Sequence, residues 1–401
     1  MQLMKLKLMS LSVYKNMLET EPVKCILRLC DAKTPDTLIR AYTDLVYSVW
    51  SEGHSTLADA IAWHLKYDDS FIGRAIASGK VSTPMKDAAA MDIRRLASIG
   101  MLSCSGLKRN IHAACARINE EFGPIVSNLA ELPQGRSFTE EEIFESYRLH
   151  GCGRFALGKA FHWEKGVLTQ VKEADALRPE DMIGYDYQRK AVIQNTLALH
   201  NGSLTNNVLL YGDSGTGKSA TVKSLIRIPE FHNLRIIEIA KNSLDELTDL
   251  ITQLGQHTQK FIIYIDDLSF EKEDKGFSAL KTALEGGLAR RPENVAIYAT
   301  SNRRHMVKES FSERSGDEVH AKETIEERTS LSERFGLRLA YLSLDKAKYT
   351  NMVLDMCHRL NIPLTDDQIR IEANRWEIQH GGRTPRVATQ LVEKLYGEAK
   401  K

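Results

Sequence analysis

The stretch NVLLYGDSGTGKSATVKSLIRI, residues 207–228, constrains the fold of this chain more than any other. It fits the pattern GxxxxGK[ST] between an apolar run and a helical run. The glycines let backbone N–H groups turn inward around phosphate oxygens, and the helix that follows points its positive end at the same anion. The stretch therefore predicts a strand, a phosphate-binding loop and a helix, in that order.

Five short apolar runs stand out after residue 175. They are Asn207–Gly212, Leu234–Ala240, Phe261–Asp266, Val295–Thr300 and Leu337–Leu342. Continuous apolarity, rather than alternation, indicates strands that are covered on both faces, as in a parallel sheet with helical crossovers. The sequence therefore predicts an α/β fold for this part of the chain.

The remaining sequence has helical patterns and divides the chain into three predicted domains. Apolar residues recur at helical spacing before residue 175, where strand signals are scarce, and again after Leu344. We expect a mainly helical N-terminal domain over residues 1–174, an α/β domain with the phosphate loop over 175–343, and a small helical domain over 344–401. No catalytic constellation is recognisable in the N-terminal half.

The composition is that of an ordinary globular protein, with 42% apolar and 27% charged residues. A net charge of +1 does not indicate nucleic acid or acidic lipid as a partner. No run approaches the ~18 apolar residues that a membrane span needs. The six scattered cysteines indicate reduced thiols rather than disulfides or a zinc site. We therefore expect a cytoplasmic protein.

Two residues of the phosphate loop have distinct predicted roles. Lys218 is expected to reach the β- and γ-phosphates of a nucleotide, and the Ser219 hydroxyl is expected to bind Mg²⁺. A plain glycine-rich turn is the poorer explanation, because a strand precedes the loop and a helix follows it. The nucleotide-binding residues predicted here are Gly212, Asp213, Ser214, Gly215, Thr216, Gly217, Lys218, Ser219 and Ala220.

Two further strands are followed by polar side chains that suit the same site. Asp266 ends FIIYID and is the expected Mg²⁺ partner, while Asp267 is the candidate acid that polarises an attacking water. Glu271 is a possible substitute for Asp267, and a second interpretation is that Asp267 only caps the following turn. Asn302 follows the next strand, where an amide can orient the water without competing for the metal.

Taken together, these motifs resemble the AAA+ branch of P-loop ATPases. In that resemblance Gly212–Ser219 is the Walker A motif, Phe261–Asp267 is the Walker B motif, and Asn302 is similar to the sensor-1 residue. The resemblance implies a five-stranded parallel sheet in the order 5-1-4-3-2, followed by a helical lid at residues 344–401.

Two other segments resemble AAA+ regions that surround the nucleotide. DMIGYDYQRKAVIQNTLAL is similar to the segment that packs on adenine, which implies that Ile183, Gly184 and Tyr185 contact the base. GGRTPRVATQLV is similar to the sensor-2 helix of the lid, which implies that Arg386 faces the phosphates.

A third segment, SLSERFGLRL, resembles the AAA+ region that presents an arginine to the nucleotide of a neighbouring subunit. The resemblance makes Arg334 the candidate arginine finger, with Arg303 and Arg304 as alternatives. Such an arginine would offset charge on the γ-phosphate and couple hydrolysis to assembly, so we expect a homo-oligomer.

Four of these stretches together are similar to one bacterial family of AAA+ proteins, catalogued as domain of unknown function 815. The resemblance covers about residues 175–397 and, more loosely, the helical region before them. It implies a fold and a nucleotide but no physiological substrate. The Asp-Asp pair in the second motif is also reminiscent of bacterial helicase loaders, which implies that the shorter acid need not abolish turnover.

The function expected from these features is an ATPase that uses ATP and Mg²⁺ to remodel or load a macromolecular partner. The helical N-terminal half would recognise that partner, which is expected to be a protein. The alternative is a nucleotide-dependent switch or scaffold with negligible turnover. A P-loop kinase is disfavoured because the sequence shows no evident pocket for a phosphate acceptor. A GTPase would need a guanine-reading motif where the chain has SNRRH. Nucleic-acid binding is not supported, because the sequence has no basic stripe interleaved with aromatic residues.

Overall fold

The residues that the computed structural model describes are 1–268, 275–285, 291–302 and 331–400. Contacts between Cα atoms divide the chain into two units, Met1–Leu157 and Gly158–Lys401. This division falls earlier than the boundary expected near residue 175. The reason is that a strand pair at residues 160–170 joins the sheet of the second unit.

The first unit is built from helices, as its apolar spacing predicts. Its nine helices in the described part of the chain are α1 (Gln2–Met9), α2 (Glu21–Asp31), α3 (Pro35–Ser51), α4 (Leu57–Tyr67), α5 (Phe71–Ala77), α6 (Thr83–Gly100), α7 (Cys104–Ala116), α8 (Phe122–Ser127) and α9 (Glu140–His150). One buried cluster joins them, and it includes the apolar faces of α3 and α4 that recur at helical spacing.

The second unit alternates strands and helices. Its elements are β1 (Ala160–Glu164), β2 (Val167–Gln170), α10 (Asp186–His200), β3 (Val208–Gly212), α11 (Lys218–Ser224), β4 (Leu234–Ile239), α12 (Leu247–Leu254), β5 (Lys260–Ile265), α13 (Lys275–Glu285), β6 (Val295–Ser301), β7 (Leu337–Tyr341), α14 (Lys346–Arg359), α15 (Asp366–His380) and α16 (Pro385–Ala399). The five predicted apolar runs correspond to β3 to β7, with ends that differ by one residue at most.

In the part of the chain that the structure describes, the sheet has seven strands in the order β2-β1-β4-β5-β6-β3-β7, so the expected five-stranded sheet was incomplete. Strands β4, β5, β6, β3 and β7 are parallel neighbours, and they stand in the order that the resemblance implies. The two additional strands form an antiparallel hairpin, and its first strand pairs in parallel with β4. Short strands with polar positions, such as AFHWE, carry a weaker apolar signal than the buried runs.

The central strands are buried on both faces, which explains their continuous apolarity. Every residue of β6 is buried, and so is every residue of β5 after the first. On one face, Leu210, Ile262 and Tyr298 pack with apolar residues of α10 and α11. This packing holds the carboxyl ends of β3, β5 and β6 side by side, where the polar residues begin.

Residues 344–400, which we call the lid, contain α14, α15 and α16 around a core of their own. Ile183 and Leu344, the first residue of the lid, pack against that core, so the lid contacts the segment before α10. The six cysteines are free thiols, five of them buried. Among the residues described, no helix has the length and apolar character that crossing a bilayer demands.

Candidate functional site

The phosphate loop lies between β3 and α11, as its sequence predicts. Gly215 and Gly217 have φ values of +75° and +92°, a region of backbone conformation that glycine adopts without strain. Gly212 has a φ of +130° and a second reason to be glycine. A Cβ atom there would lie 2.3 Å from the carbonyl oxygen of Tyr341, so the loop could not begin so close to β7 with any other residue.

The Lys218 side chain folds back onto the start of this loop. Its ammonium donates to the carbonyl oxygens of Gly212 and Asp213, at 3.0 and 2.7 Å. The side chain is buried, and burial lowers the pKa of Lys218 below its ordinary value. Two carbonyl oxygens are weak partners for a buried cation, and phosphate oxygens are stronger ones. The geometry therefore suits a lysine that exchanges backbone contacts for a bound anion.

Asp266 lies opposite the loop, at the end of β5. Its Oδ1 accepts hydrogen bonds from the Ser219 hydroxyl at 2.8 Å, the Thr300 hydroxyl at 2.6 Å and the Asp267 N–H at 3.1 Å. Burial alone would raise the pKa of Asp266, but the hydroxyl donors, Thr300 foremost, hold that pKa below its ordinary value. The carboxylate is therefore ionised and fixed in place beside Ser219.

Asp267 has an unusual backbone conformation and two polar partners. Its φ is +51°, and its N–H also donates to the Thr300 hydroxyl at 2.9 Å. The Asn302 amide donates to Asp267 Oδ1 at 2.8 Å, and the Lys241 ammonium lies 3.5 Å from Oδ2. A left-handed backbone at a non-glycine residue costs free energy and is held only where surrounding contacts determine it. The carboxylate is thus positioned rather than free to rotate.

These groups line one cavity of about 450 Å³, a volume in the range of small-molecule sites. Of the predicted site residues, the cavity is lined by Ser214, Gly215, Thr216, Gly217, Lys218, Ser219, Ala220, Ile183, Gly184, Tyr185, Asp266, Asp267, Asn302 and Arg386. Gly212, Asp213 and Arg334 do not line it. The structure therefore brings together residues that lie up to about two hundred positions apart in the chain.

The opposite end of the cavity is apolar and is formed by the segment before α10 and by the lid. Gly184 has a φ of +82°, and a Cβ atom there would lie 2.9 Å from Cε of Met352 on α14. Tyr185 has a φ of +56° and stacks on Tyr341, with ring centroids 4.9 Å apart. The Tyr185 hydroxyl donates to the Leu342 carbonyl at 2.6 Å. This end can take a flat apolar group such as a base.

The lid presents Arg386 to the phosphate loop. Thr384 caps α16 and Pro385 begins it, as predicted, and the Arg386 N–H donates to the Gly215 carbonyl at 3.2 Å. The Arg386 side chain lines the cavity, and among the described residues its guanidinium has no hydrogen-bond or ion-pair partner. Arg383, in contrast, is bonded to Glu377 at 2.5 Å. Arg386 is therefore the arginine of this pair that is available to an anion.

Arg334 lies outside the cavity and forms an ion pair with Glu285 at the end of α13. Its predicted role as an arginine finger stays a prediction. Glu271, Arg303 and Arg304, the alternatives for the acid and for the arginine finger, lie outside the described residues.

Several residues at the site were not singled out by sequence reasoning. Thr300 is hydrogen-bonded to both the Asp266 carboxylate and the Asp267 N–H. Its place at the polar end of a predicted strand is the feature of the sequence that could have identified it as a site residue. Lys241 directly follows the strand run ending at Ala240, but a surface lysine carries no such signal. The cavity is also lined by Met182, Met352 and Met356, which sequence spacing cannot assign to it.

Residues 157–399 match the family model described as "Protein of unknown function (DUF815)". No curated protein matches the chain in sequence. The matched region contains the whole sheet, with its β1–β2 hairpin, the cavity and nearly all of the lid.

Solved structures of RuvB from Thermotoga maritima are similar to part of the chain. One, described as a Holliday junction branch migration motor, has 16% identity and a TM-score of 0.38, covering 54% of this chain and 63% of that chain. A point mutant of that RuvB has 17% identity and the same TM-score and coverage. Because the chain spans less than two thirds of those structures, what it does has to be argued from its own residues.

Proposed function

The chain belongs to the DUF815 family, whose description names no function, and we propose that it binds ATP with Mg²⁺ and hydrolyses it. The observation that carries this proposal is the arrangement around Asp266. A P-loop serine and a carboxylate at the end of β5, two strands away from β3 in the sheet, are in direct contact, 2.8 Å apart, beside a buried lysine. These are the groups that hold the phosphates and the metal in P-loop nucleotide sites.

The residues present fit a magnesium ion. Mg²⁺ takes oxygen ligands and is usually bound by one or two protein groups together with substrate phosphates and water. Ser219 Oγ and the ionised Asp266 supply oxygen donors at the metal's side of the phosphate loop. When bound, the ion would neutralise charge on the β- and γ-phosphates.

The chain's own groups divide the remaining work. Lys218 and the loop N–H groups bind the phosphates, and Arg386 adds positive charge from the lid. Asp267, positioned by Asn302, accepts a proton from water as the water oxygen bonds to the γ-phosphorus. The bond from that phosphorus to the β–γ bridging oxygen breaks, leaving ADP and inorganic phosphate.

We propose that the base end of the cavity binds adenine and not a small molecule that accepts the phosphate. Its walls include Gly184, Tyr185 and Met352. We infer that the energy of ATP turnover acts on a macromolecule, recognised by the helical unit Met1–Leu157. Arg334 would serve as an arginine finger in a homo-oligomer, in which a neighbour completes the site.

One observation favours a nucleotide-dependent switch as the second candidate. The Asp267 carboxylate already contacts the Asn302 amide and the Lys241 ammonium. If these contacts persist with ATP bound, the acid does not reach the attacking water, and the protein holds nucleotide without turning it over.

The test is steady-state ATP hydrolysis with Mg²⁺ over a range of protein concentrations. We expect turnover per subunit to rise with concentration, because Arg334 acts between neighbours. Asp267→Asn should bind ATP and lose at least 100-fold in turnover, whereas Asp249→Asn, an exposed carboxylate on α12, should match the wild type. ATP binding without turnover in the wild-type protein would favour the switch.

A further inference from the structure

The second residue of the phosphate loop is an aspartate, which is an unfavourable choice beside a polyanion. Asp213 lies within electrostatic reach of Lys218, whose pKa its charge raises against the effect of burial. A carboxylate this close to Lys218 also repels the phosphates that the loop is proposed to bind. The side chain does not line the cavity. Its role must therefore lie elsewhere.

The carboxylate of Asp213 points to the linker between β7 and the lid. Asp213 Oδ2 accepts two hydrogen bonds from Ser343, from the backbone N–H at 2.7 Å and from the hydroxyl at 2.8 Å. The Asp213 N–H donates to the carbonyl oxygen of Tyr341 at 2.9 Å, at the end of β7 just before this linker. The carbonyl of the same residue accepts from Lys218.

The linker itself contacts the other elements around the cavity. The Leu342 carbonyl accepts from the Tyr185 hydroxyl at the base end. The Leu344 N–H donates to the Arg383 carbonyl at 2.9 Å, just before α16 begins. Residues 341–344 thus contact the phosphate loop, the base segment and Arg383, which lies two residues before the helix that carries Arg386.

We propose that Asp213 is a positioning residue that ties the phosphate loop to the lid through Ser343, so that phosphate binding at Lys218 sets the position of the lid. The inference rests on the nucleotide binding proposed above. A phosphate draws the Lys218 ammonium away from the Asp213 carbonyl, which changes the loop at the residue whose side chain holds the linker. Because coupling is reciprocal, the position of the lid then alters nucleotide affinity in turn.

The test compares ATP affinity with hydrogen exchange in the lid, using full-length protein with and without Mg·ATP. In the wild type, ATP should slow exchange at lid amides, most of all near the start of α16. Asp213→Asn and Ser343→Ala should each reduce that slowing at least threefold, and the double variant should add little, because both changes break the same contact. Asp213→Asn should also bind ATP more tightly, since it removes a negative charge beside the phosphates.

The matched control is Asp345→Ala. Asp345 is a carboxylate near the start of the lid that caps α14 by accepting from the Lys348 N–H at 2.8 Å. Its loss should speed lid exchange without changing the response to ATP. A residue needed only for stability would lower affinity and lid protection together, so that pattern in Asp213→Asn would overturn the inference, as would an unchanged lid response. Absence of ATP binding by the wild-type protein would instead overturn the proposed function, and the inference with it.

Discussion

The two ends of the cavity are held in different ways. At the phosphate end, Ser219, Asp266 and Thr300 are joined by direct hydrogen bonds and are carried by α11 and by neighbouring buried strands. At the base end, Tyr185 comes from the segment before α10 and Met352 comes from the lid. The Tyr185 ring stacks on Tyr341, and the Met352 side chain lies against Gly184, so both make apolar contacts. One end is fixed by the sheet, and the other is assembled when the lid packs.

This difference has a functional meaning. Charge placement at the phosphate end must be accurate, because electrostatic stabilisation depends on donors and acceptors that do not reorganise. The base end has only to enclose a ring, so small movements there cost little. We therefore expect changes at the phosphate end to reduce binding or turnover strongly, and changes at the base end to act weakly and only on ligands that have a base.

The largest effect is expected for Lys218→Ala. Loss of its charge-assisted contacts should weaken ATP binding about 100-fold, equivalent to about 2.7 kcal/mol. Inorganic tripolyphosphate should lose affinity to a similar degree, because Lys218 contacts only the phosphates. Isothermal titration with each ligand measures both values, and Lys190→Ala on the exposed side of α10 serves as the control. ATP affinity equal to that of the wild type would contradict the assignment of the phosphate loop.

A smaller effect is expected for Thr300→Val, which removes a hydroxyl and keeps the shape of the side chain. Asp266 loses one donor and the Asp267 N–H loses an acceptor, so turnover should fall about 20-fold and stability by about 1–2 kcal/mol. Thr196→Val is a matched control. Thr196 is a buried threonine that does not line the cavity, and its hydroxyl is hydrogen-bonded to the Tyr298 hydroxyl at 2.8 Å. This control should lower stability alone. Equal turnover in the two variants would show that Thr300 has only a structural role.

Arg386→Ala should weaken ATP binding about tenfold, since one charge-assisted contact from the lid is lost. Arg383→Ala should stay within about twofold of the wild type, because the Arg383 side chain is bonded to Glu377 instead. Fluorescence titration with a labelled ATP analogue would compare them. The reverse ranking would transfer the role in phosphate binding to Arg383.

The smallest effect is expected for Met352→Ala at the base end. The loss of apolar contact should weaken ATP binding about fivefold, or about 1 kcal/mol. Tripolyphosphate affinity should not change, which distinguishes this variant from Lys218→Ala. If tripolyphosphate weakened as well, Met352 would also support phosphate binding, and its assignment to the base end would be wrong.

Much of the fold and the phosphate end could be predicted because their signals are local. Buried strands of a parallel sheet are continuous apolar runs, and β3 to β7 were recognisable for that reason. Lys218, Ser219 and Asp266 stand next to such runs, so the geometry of a parallel sheet brings them together. Their predicted roles in nucleotide chemistry stay predictions until ligands are tested.

What could not be predicted depends on contacts between distant segments. Lys241 meets Asp267 only because β4 and β5 are neighbours in the sheet, and one exposed lysine looks like any other in sequence. Met352 reaches Gly184 only because the lid packs there. The β1–β2 hairpin was missed because its strands are short and partly exposed, with weak apolar runs.

That hairpin also has a consequence for whether the edge of the sheet can pair with a strand of another molecule. Strand β1 pairs with β4, whose outer backbone groups would otherwise be open to another strand, and the last strand of the sheet is then the four-residue β2. A short, partly exposed edge is a poor template for intermolecular pairing, whereas a long apolar edge such as β4 is a good one. A chain truncated at residue 175 would keep every nucleotide motif and still expose β4, so it should aggregate where the longer chain does not.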